Sequence, residues 1–330
     1  MQQTIFSTWF MNSSGSAQYT QPEKKGIEWL RGKRKFRPFK NASIPTEVHF
    51  DASLRKIVQI DPELQIMLST HWLTLTWYDE TLKWSPEDAG GMTNMVIQDS
   101  DVWRPKIDLH NEISSSGSAS DSNREKMDLV VSHHGEVKLF LRETFRTSCP
   151  VTMTWFPFDT QSCSMIWGPR VHHKEQIQLK ILKDGVDLSN YQVNGEFELV
   201  GSHKELQSRL HSCCPFEYHD ITYNFELRRR PLKPCLIYMM PVVLAAGISI
   251  TSCFMPPKST ARIRADLTSI FIMVMHFGVA GKSIPFTGSL PYIWIFNVVL
   301  CIGSLVSLLY SVFILRKRSE DGSWRRNKNL

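Results

Sequence analysis

Residues 149–163 read CPVTMTWFPFDTQSC, so that Cys149 and Cys163 enclose thirteen residues. A proline between two aromatic residues, Phe156-Pro157-Phe158, predicts a tight turn. The peptide bond before this proline can adopt the cis form. If the two cysteines pair, they close this turn into a rigid loop with an apolar tip. The spacing alone favours an ordinary stabilising disulfide, and only its combination with Phe-Pro-Phe-Asp makes the stretch specific.

The composition around this loop is uneven along the chain. The 330 residues carry 38 Lys and Arg against 32 Asp and Glu, and a net charge of +6 is too small to argue for a nucleic-acid partner. Residues 22–231 are densely charged, whereas 232–315 hold few charges. This contrast excludes a wholly soluble, collagen-like or disordered protein. The charged residues from 232 to 315 are Lys233, Lys258, Arg262, Arg264, Asp266 and Lys282.

Three apolar stretches predict membrane-spanning helices. Pro234–Phe254 and Tyr292–Leu315 are uncharged and long enough, since about 20 residues cross the hydrocarbon core. Leu267–Gly281 is shorter and contains His276, so we interpret it as a crossing helix that lines water. The predicted spans are about 234–254, 264–284 and 292–315, within a membrane domain of residues 231–315.

The charges that flank these spans predict the orientation. Basic residues between the first two spans and in the tail 316–330 belong on the cytoplasmic side, which places 26–230 outside the cell. Four outer cysteines, an even number, suit an oxidising compartment. Asn41-Ala-Ser is a glycosylation acceptor. Residues 1–25 are expected to be a leader or a disordered terminus, although no convincing signal peptide is evident.

Alternating apolar and polar residues predict that the outer domain is a β-sandwich. Leu73, Leu75 and Trp77 alternate with threonines, and Ile221 begins a similar run that ends at Leu227. Such alternation is typical of strands with one buried face. Short strands separated by turn signals favour a β-sandwich. Pro22–Arg34 is the only plausible helix in this part of the sequence.

The loop at 149–163 resembles the signature of Cys-loop receptors, the pentameric neurotransmitter-gated ion channels. Further matches follow in the family's order over roughly residues 26–316. The resemblance implies an extracellular β-sandwich for ligand binding, a helical membrane domain and a Cys149–Cys163 disulfide. The matching segments are Trp77-x-Asp79-x-x-Leu82-x-Trp84, Trp103-x-Pro105-x-Ile107-x-Leu109, Asp220-Ile-Thr-Tyr223 and Arg228-Arg-Arg-Pro231.

Cys213-Cys214 resembles the vicinal pair of principal subunits in the nicotinic acetylcholine receptor branch. The resemblance implies a disulfide between the two, and such a small ring would stiffen the tip of a hairpin. This resemblance implies a ligand site with Trp77 on the complementary face and Tyr218 after the cysteines. Aromatic faces would hold a cationic transmitter there by cation–π attraction.

Three positions depart from the aromatic residues that the family has. His110, Arg170 and His211 stand where Tyr, Trp and Tyr are expected. A cation at the central position would repel a quaternary amine. Two interpretations remain open: an anionic or carboxylate ligand, or protons acting through the histidines, binds here; or the subunit has lost its principal face.

A metal site formed by His211, Cys213, Cys214 and His219 is the less favoured alternative, because outside the cell the thiols would be oxidised. His133-His134 and His172-His173 are expected to be exposed loop residues. No catalytic motif rises above chance, so we predict neither an enzyme nor a cofactor.

The resemblance implies that the second span lines the pore. With Arg262 at its cytoplasmic end, helical spacing directs Arg264, Thr268, Phe271, Met275 and Lys282 at the lumen. A second register, keyed on Leu267, would instead direct Asp266, Ile270 and Met273 there. Thr260-Ala261-Arg262 is similar to the anion-selective pattern, whereas the outer domain resembles cation channels. The sequence therefore leaves both anion and cation selectivity open.

The sequence as a whole predicts a subunit of a pentameric ligand-gated ion channel in the plasma membrane, with the postsynaptic membrane as the expected place. Its expected partners are four homologous subunits, a small extracellular transmitter and membrane lipid. The family has four spans and this sequence shows three, so we expect the fourth to be absent. The alternative is a truncated, non-conducting subunit that binds partners or modulates assembly.

Overall fold

The computed structural model describes residues 37–38, 44–99, 102–113, 128–210, 215–256, 259–281, 284–285 and 290–327, with side chains to residue 317. The predicted leader at 1–25, the predicted helix Pro22–Arg34 and the acceptor Asn41 lie outside these residues.

Two sheets form the outer domain and confirm the predicted β-sandwich. A six-stranded sheet has the order β3-β5-β6-β2-β1-β8, and a four-stranded sheet has the order β4-β7-β10-β9. The strands are β1 (Thr46–Asp61), β2 (Ile66–Tyr78), β3 (Asn94–Gln98), β4 (Ile107–Leu109), β5 (Asp128–Ser132), β6 (Glu136–Ser148), β7 (Thr160–Pro169), β8 (Ile177–Ile181), β9 (Phe197–Leu210) and β10 (Glu217–Arg229).

Side chains from both sheets fill the core between them. Phe50 of β1 lies with its ring centroid 5.3 Å from that of Trp167 of β7 and 6.4 Å from that of Tyr223 of β10. Polar groups also join the sheets, since Lys204 Nζ of β9 lies 2.5 Å from Asp51 Oδ1 of β1, and both side chains are buried. The sandwich is therefore fixed by aromatic packing and by one buried ion pair.

Three helices follow the sandwich, and each is long and apolar enough to cross a membrane. They are α1 (Leu232–Phe254, with a π-helical turn at Cys235–Met239), α2 (Thr260–Ala280) and α3 (Tyr292–Asn327). The second begins earlier than predicted because the Ser259 hydroxyl accepts a hydrogen bond from the Ala261 amide at 3.2 Å and caps the helix. The third continues into the predicted tail.

Candidate functional site

Strand pairing in the smaller sheet brings distant parts of the sequence to one end of the sandwich. Trp167 of β7 pairs with Leu109 of β4 and with Ile221 of β10. The His110 amide, just beyond β4, donates to the Ile166 carbonyl at 2.8 Å. Each of three predicted ligand residues lies within three positions of one of these paired residues: His110, Arg170 and Tyr218. They therefore lie at the same end of the sheet.

A buried carboxylate lies beneath this end of the sheet. The Asp220 side chain of β10 is fully buried, and its Oδ1 lies 3.8 Å from His110 Nδ1. Its Oδ2 lies 3.6 Å from Nε of Arg209 on β9. Gly168 makes room for this arrangement, because a Cβ there would come within 2.2 Å of Asp220 Oδ1 and 2.8 Å of His110 Cε1. Basic side chains on two sides thus face one buried acid.

Arg170 extends into solvent directly after β7. Its side chain is 73% exposed, and its Nε lies 3.4 Å from Asp108 Oδ2 on β4. Both residues line a cavity of about 530 Å³, which Arg104, Lys106 and Glu143 also line. The guanidinium therefore offers several donors to a ligand that carries a carboxylate.

The remaining part of the candidate site surrounds the start of β10. Tyr218 is largely buried at 8% exposure, and Lys174 Nζ lies 3.0 Å from Glu217 Oε2. The pKa of His219 lies below its usual value, first because of burial and then because of the nearby Lys174 and Lys180 charges. The site thus holds His219 in its neutral form near pH 7. His211, Cys213 and Cys214, which carry most of the alternative metal site, lie outside the described residues.

The structure places Trp77, the predicted ligand residue of the complementary face, inside the sandwich, and its contact with a ligand stays a prediction. Its side chain is only 2% exposed and packs edge-on against Trp103 with ring centroids 6.2 Å apart. Two aromatic residues of β2 are exposed, Trp72 at 44% and Tyr78 at 45%. Arg55 Cζ lies 3.9 Å from the ring centroid of Trp72. Trp77 shares its strand face with Leu73, so the alternation already pointed to its burial.

At the opposite end of the sandwich, the loop at 149–163 contacts the membrane helices. Cys149 and Cys163 are disulfide-bonded and the Phe156-Pro157 bond is cis. The Tyr292 amide at the start of α3 donates to the Thr154 carbonyl at 3.1 Å. Ring contacts join the loop to both helices: Trp155 lies 4.8 Å from Tyr292, and Phe156 lies 5.6 Å from Tyr238 of α1.

One buried arginine ties this loop to the strand that leads into α1. Arg229 Nε donates to Asp159 Oδ1 at 2.8 Å, and Nη2 donates to Oδ2 at 3.1 Å. Both side chains are almost completely buried, and Arg229 also pairs with Glu196. Such a bidentate pair has fixed geometry. Movement of β10 would therefore reach the loop and the helices together.

The predicted pore residues are found on the outer side of α2. Arg264 and Thr268 are exposed, as are Phe271 at 64% and Met275 at 55%. Lys282 lies outside the described residues. Asp266 and Met273, which the second register directs at the lumen, are fully buried within the helix bundle. Among residues 37–113 and 128–327 with their gaps, no cluster of His, Cys, Asp and Glu suits a metal ion.

Comparisons with known proteins agree with this architecture. The family model for the neurotransmitter-gated ion-channel ligand binding domain matches residues 27–231. The chain is 28% identical to human neuronal acetylcholine receptor subunit alpha-3 over 280 residues, which is 84% of this chain and 55% of that protein. It is 26% identical over 298 residues to the acetylcholine receptor subunit alpha-type acr-16 of Caenorhabditis briggsae, covering 88% and 59%. The chain thus spans little more than half the length of these curated relatives.

Proposed function

The chain belongs to the neurotransmitter-gated ion-channel family, and from this premise we propose that it is a subunit of a pentameric ligand-gated ion channel. The subunit would lie in the plasma membrane, with the sandwich outside the cell and the apolar faces of α1 and α3 against lipid. Four homologous subunits would complete the ring, and the postsynaptic membrane is the proposed place of action.

The observation that carries this proposal is the contact between the disulfide-closed loop and the membrane helices. Thr154 and Trp155 contact Tyr292, and Asp159 binds Arg229, three residues before α1 begins. A ligand that shifts the sandwich would therefore move the first residues of α1 and α3. Rigid-body motion of this kind is one of the known ways in which binding opens a gate.

For the ligand, we propose a small molecule with a carboxylate. Arg170 is exposed at the same end of the smaller sheet as His110 and the buried Asp220, and it stands at the position where a quaternary amine would need an aromatic face. A guanidinium attracts an anion and repels a cation at this position. Exposed Trp72 would contribute an aromatic surface on the face that meets the next subunit.

The test is two-electrode voltage clamp of oocytes that express the chain alone and with human subunit alpha-3. The panel would include acetylcholine, glutamate, glycine and a pH series. We expect a current evoked by a carboxylate-bearing ligand, with Arg170→Gln raising the half-maximal concentration roughly tenfold or more, since a charged hydrogen bond contributes about 1.5–3 kcal/mol. Arg228→Gln, at an exposed pair with Glu198, is the matched control.

Two outcomes would contradict parts of this proposal. Silence from every mixture, with surface protein confirmed by biotinylation, would favour a non-conducting partner instead of a channel subunit. A current evoked by acetylcholine and insensitive to Arg170→Gln would keep the channel and overturn the carboxylate ligand.

A further inference from the structure

Helix α2 differs from its neighbours in what it exposes. It is the least apolar of the three membrane-length helices, and its exposed face carries Arg264 and Thr268 one turn apart. A guanidinium within a membrane span is costly unless it meets water or a partner. Among the described residues, no acid pairs with Arg264. The face of α2 that carries Arg264 therefore faces water, as a helix that lines a pore must do.

The acid of α2 points the other way. Asp266 is fully buried, and its two oxygens accept hydrogen bonds from neighbouring helices. Ser252 Oγ of α1 donates to Oδ1 at 2.5 Å, and Ser307 Oγ of α3 donates to Oδ2 at 3.1 Å. Arg262 Nη2 donates to the same Ser307 Oγ at 3.0 Å and is only 8% exposed. A polar chain thus joins all three helices and holds Asp266 away from the outer face.

Further polar contacts along the bundle fix the same rotation of α2. Ser269 Oγ lies 2.7 Å from Ser249 Oγ of α1 and donates to the Ala245 carbonyl at 3.0 Å. Near the other end of α2, His276 Nδ1 lies 2.8 Å from Asn297 Nδ2 of α3. Turning α2 by half a turn to expose Asp266 would break every one of these bonds at once. Buried polar groups that lose their partners cost free energy, so the rotation is strongly specified.

The consequence is an imbalance of charge on the two faces of α2. The helix has three charged residues besides His276: Arg262, Arg264 and Asp266. Arg262 and Asp266 are of opposite sign, are both buried and share Ser307 as a hydrogen-bond partner. Only Arg264 is exposed. In a ring of five subunits, the lumen would receive five guanidinium groups and no carboxylate from this helix.

We infer that the pore conducts anions, with Arg264 as the residue that sets the sign of the permeant ion. This inference rests on the proposed function and adds the class of ion to it. Rings of Arg or Lys select anions in pores, and rings of Asp or Glu select cations. Asp266 is a positioning residue: it fixes the rotation of α2 without facing the ion. The sequence resemblance to acetylcholine receptor subunits does not carry this conclusion, because the orientation of Arg264 and Asp266 comes from the packing of α2.

The experiment measures reversal potentials in oocytes that express the full chain, alone and with human subunit alpha-3. The external chloride concentration is lowered tenfold by substitution with gluconate. In a separate exchange, the external sodium concentration is lowered tenfold by substitution with N-methyl-D-glucamine. For a chloride pore we expect a shift of about 59 mV in the first exchange, the value for a tenfold change and one charge, and almost none in the second. Arg264→Glu should reverse this preference, and Arg264→Gln should weaken it.

Asp266→Asn is the matched control, because it removes the only acid of α2 while the amide still accepts a hydrogen bond from Ser252 at Oδ1 and can donate one to Ser307 Oγ from Nδ2, which keeps α2 tied to both helices. We expect it to leave the chloride-dependent shift unchanged. As a measure independent of ion flow, Arg264→Cys and Asp266→Cys would be tested for reaction with a charged thiosulfonate on intact cells, with the parent chain as background. Arg264→Cys should react at least tenfold faster than Asp266→Cys.

The possible outcomes distinguish a failure of anion selectivity from a failure of the proposed channel function. A current that follows sodium and is insensitive to Arg264→Glu would overturn anion selectivity and leave the channel intact. Equal reaction of the two cysteine variants would overturn the orientation of α2. No current in any mixture would overturn the proposed channel itself, and anion conduction with it.

Discussion

The two ends of the sandwich differ in how their charges are arranged. At the membrane end, Arg229 and Asp159 are buried against each other in a bidentate pair. At the far end, Arg170 is exposed and meets Asp108 only at 3.4 Å. The difference indicates that the membrane end is built to keep its shape, whereas the far end offers its charge to a ligand. This contrast predicts the largest effects of substitution at the membrane end and the smallest at the far end.

Removal of the buried arginine should have the largest effect. Arg229→Ala leaves the Asp159 carboxylate buried without its partner, which costs about 3–5 kcal/mol. Its neighbour Arg228 forms an exposed pair with Glu198, so that Arg228→Ala should cost less than about 1 kcal/mol. Thermal unfolding of the detergent-solubilised chain would compare the two. Equal losses would show that the membrane end is no more rigid than the surface.

The two tryptophans of β2 should separate a core role from a surface role. Trp77→Ala removes a buried ring and should cost about 3–5 kcal/mol. Trp72→Ala removes a ring that is 44% exposed, and it should change the ligand response more than the unfolding temperature. Thermal unfolding and concentration–response curves would be measured on both variants. A ligand response lost in Trp77→Ala without destabilisation would contradict the core assignment.

Acid should destabilise the sandwich through one buried histidine. Burial lowers the pKa of His71 from 6.5 to about 3, and its Nε2 lies 3.0 Å from Ser69 Oγ. His71 of the unfolded chain therefore binds a proton below pH 6.5, whereas His71 of the folded chain binds one only below about pH 3. Stability is complete above pH 6.5 and falls by about 1.4 kcal/mol per pH unit below it.

Between pH 6.5 and pH 4.5, this histidine alone should cost about 2–3 kcal/mol. Thermal unfolding as a function of pH would be compared between the parent chain, His71→Gln and His203→Gln, where His203 is a histidine near Asn224 on the surface of the sheet. Only His71→Gln should flatten the profile. An identical acid slope in all three proteins would exclude His71 as its source.

The smallest expected effect is a gain in affinity for acetylcholine at the end of the sandwich that carries Arg170. Arg170→Trp replaces an exposed cation by an aromatic face, and a cation–π contact contributes about 0.5–2 kcal/mol. The apparent affinity for acetylcholine should improve by roughly twofold to thirtyfold, while thermal stability stays within about 1 kcal/mol. Concentration–response curves would measure the gain. Weaker acetylcholine binding after this change would show that Arg170 does not repel the amine.

Much of the architecture was predictable because its signals are local. Apolar length predicts the three membrane helices, since a span must cover the hydrocarbon core whatever surrounds it. Alternation predicts the strands, and the cysteine spacing with Phe156-Pro157 predicts the closed loop. The same alternation places Trp77 on the buried face of β2 with Leu73 and Leu75.

The sequence by itself therefore determined which segments are strands, which cross the membrane and which loop is closed by a disulfide. Only the tertiary structure decided how residues far apart combine. It brings His110, Arg170 and Asp220 to one end of a sheet, and it buries Asp266 while Arg264 stays exposed. The physical reason is that the rotation of a helix depends on partners in other segments, here Ser252 and Ser307, and no local pattern contains them.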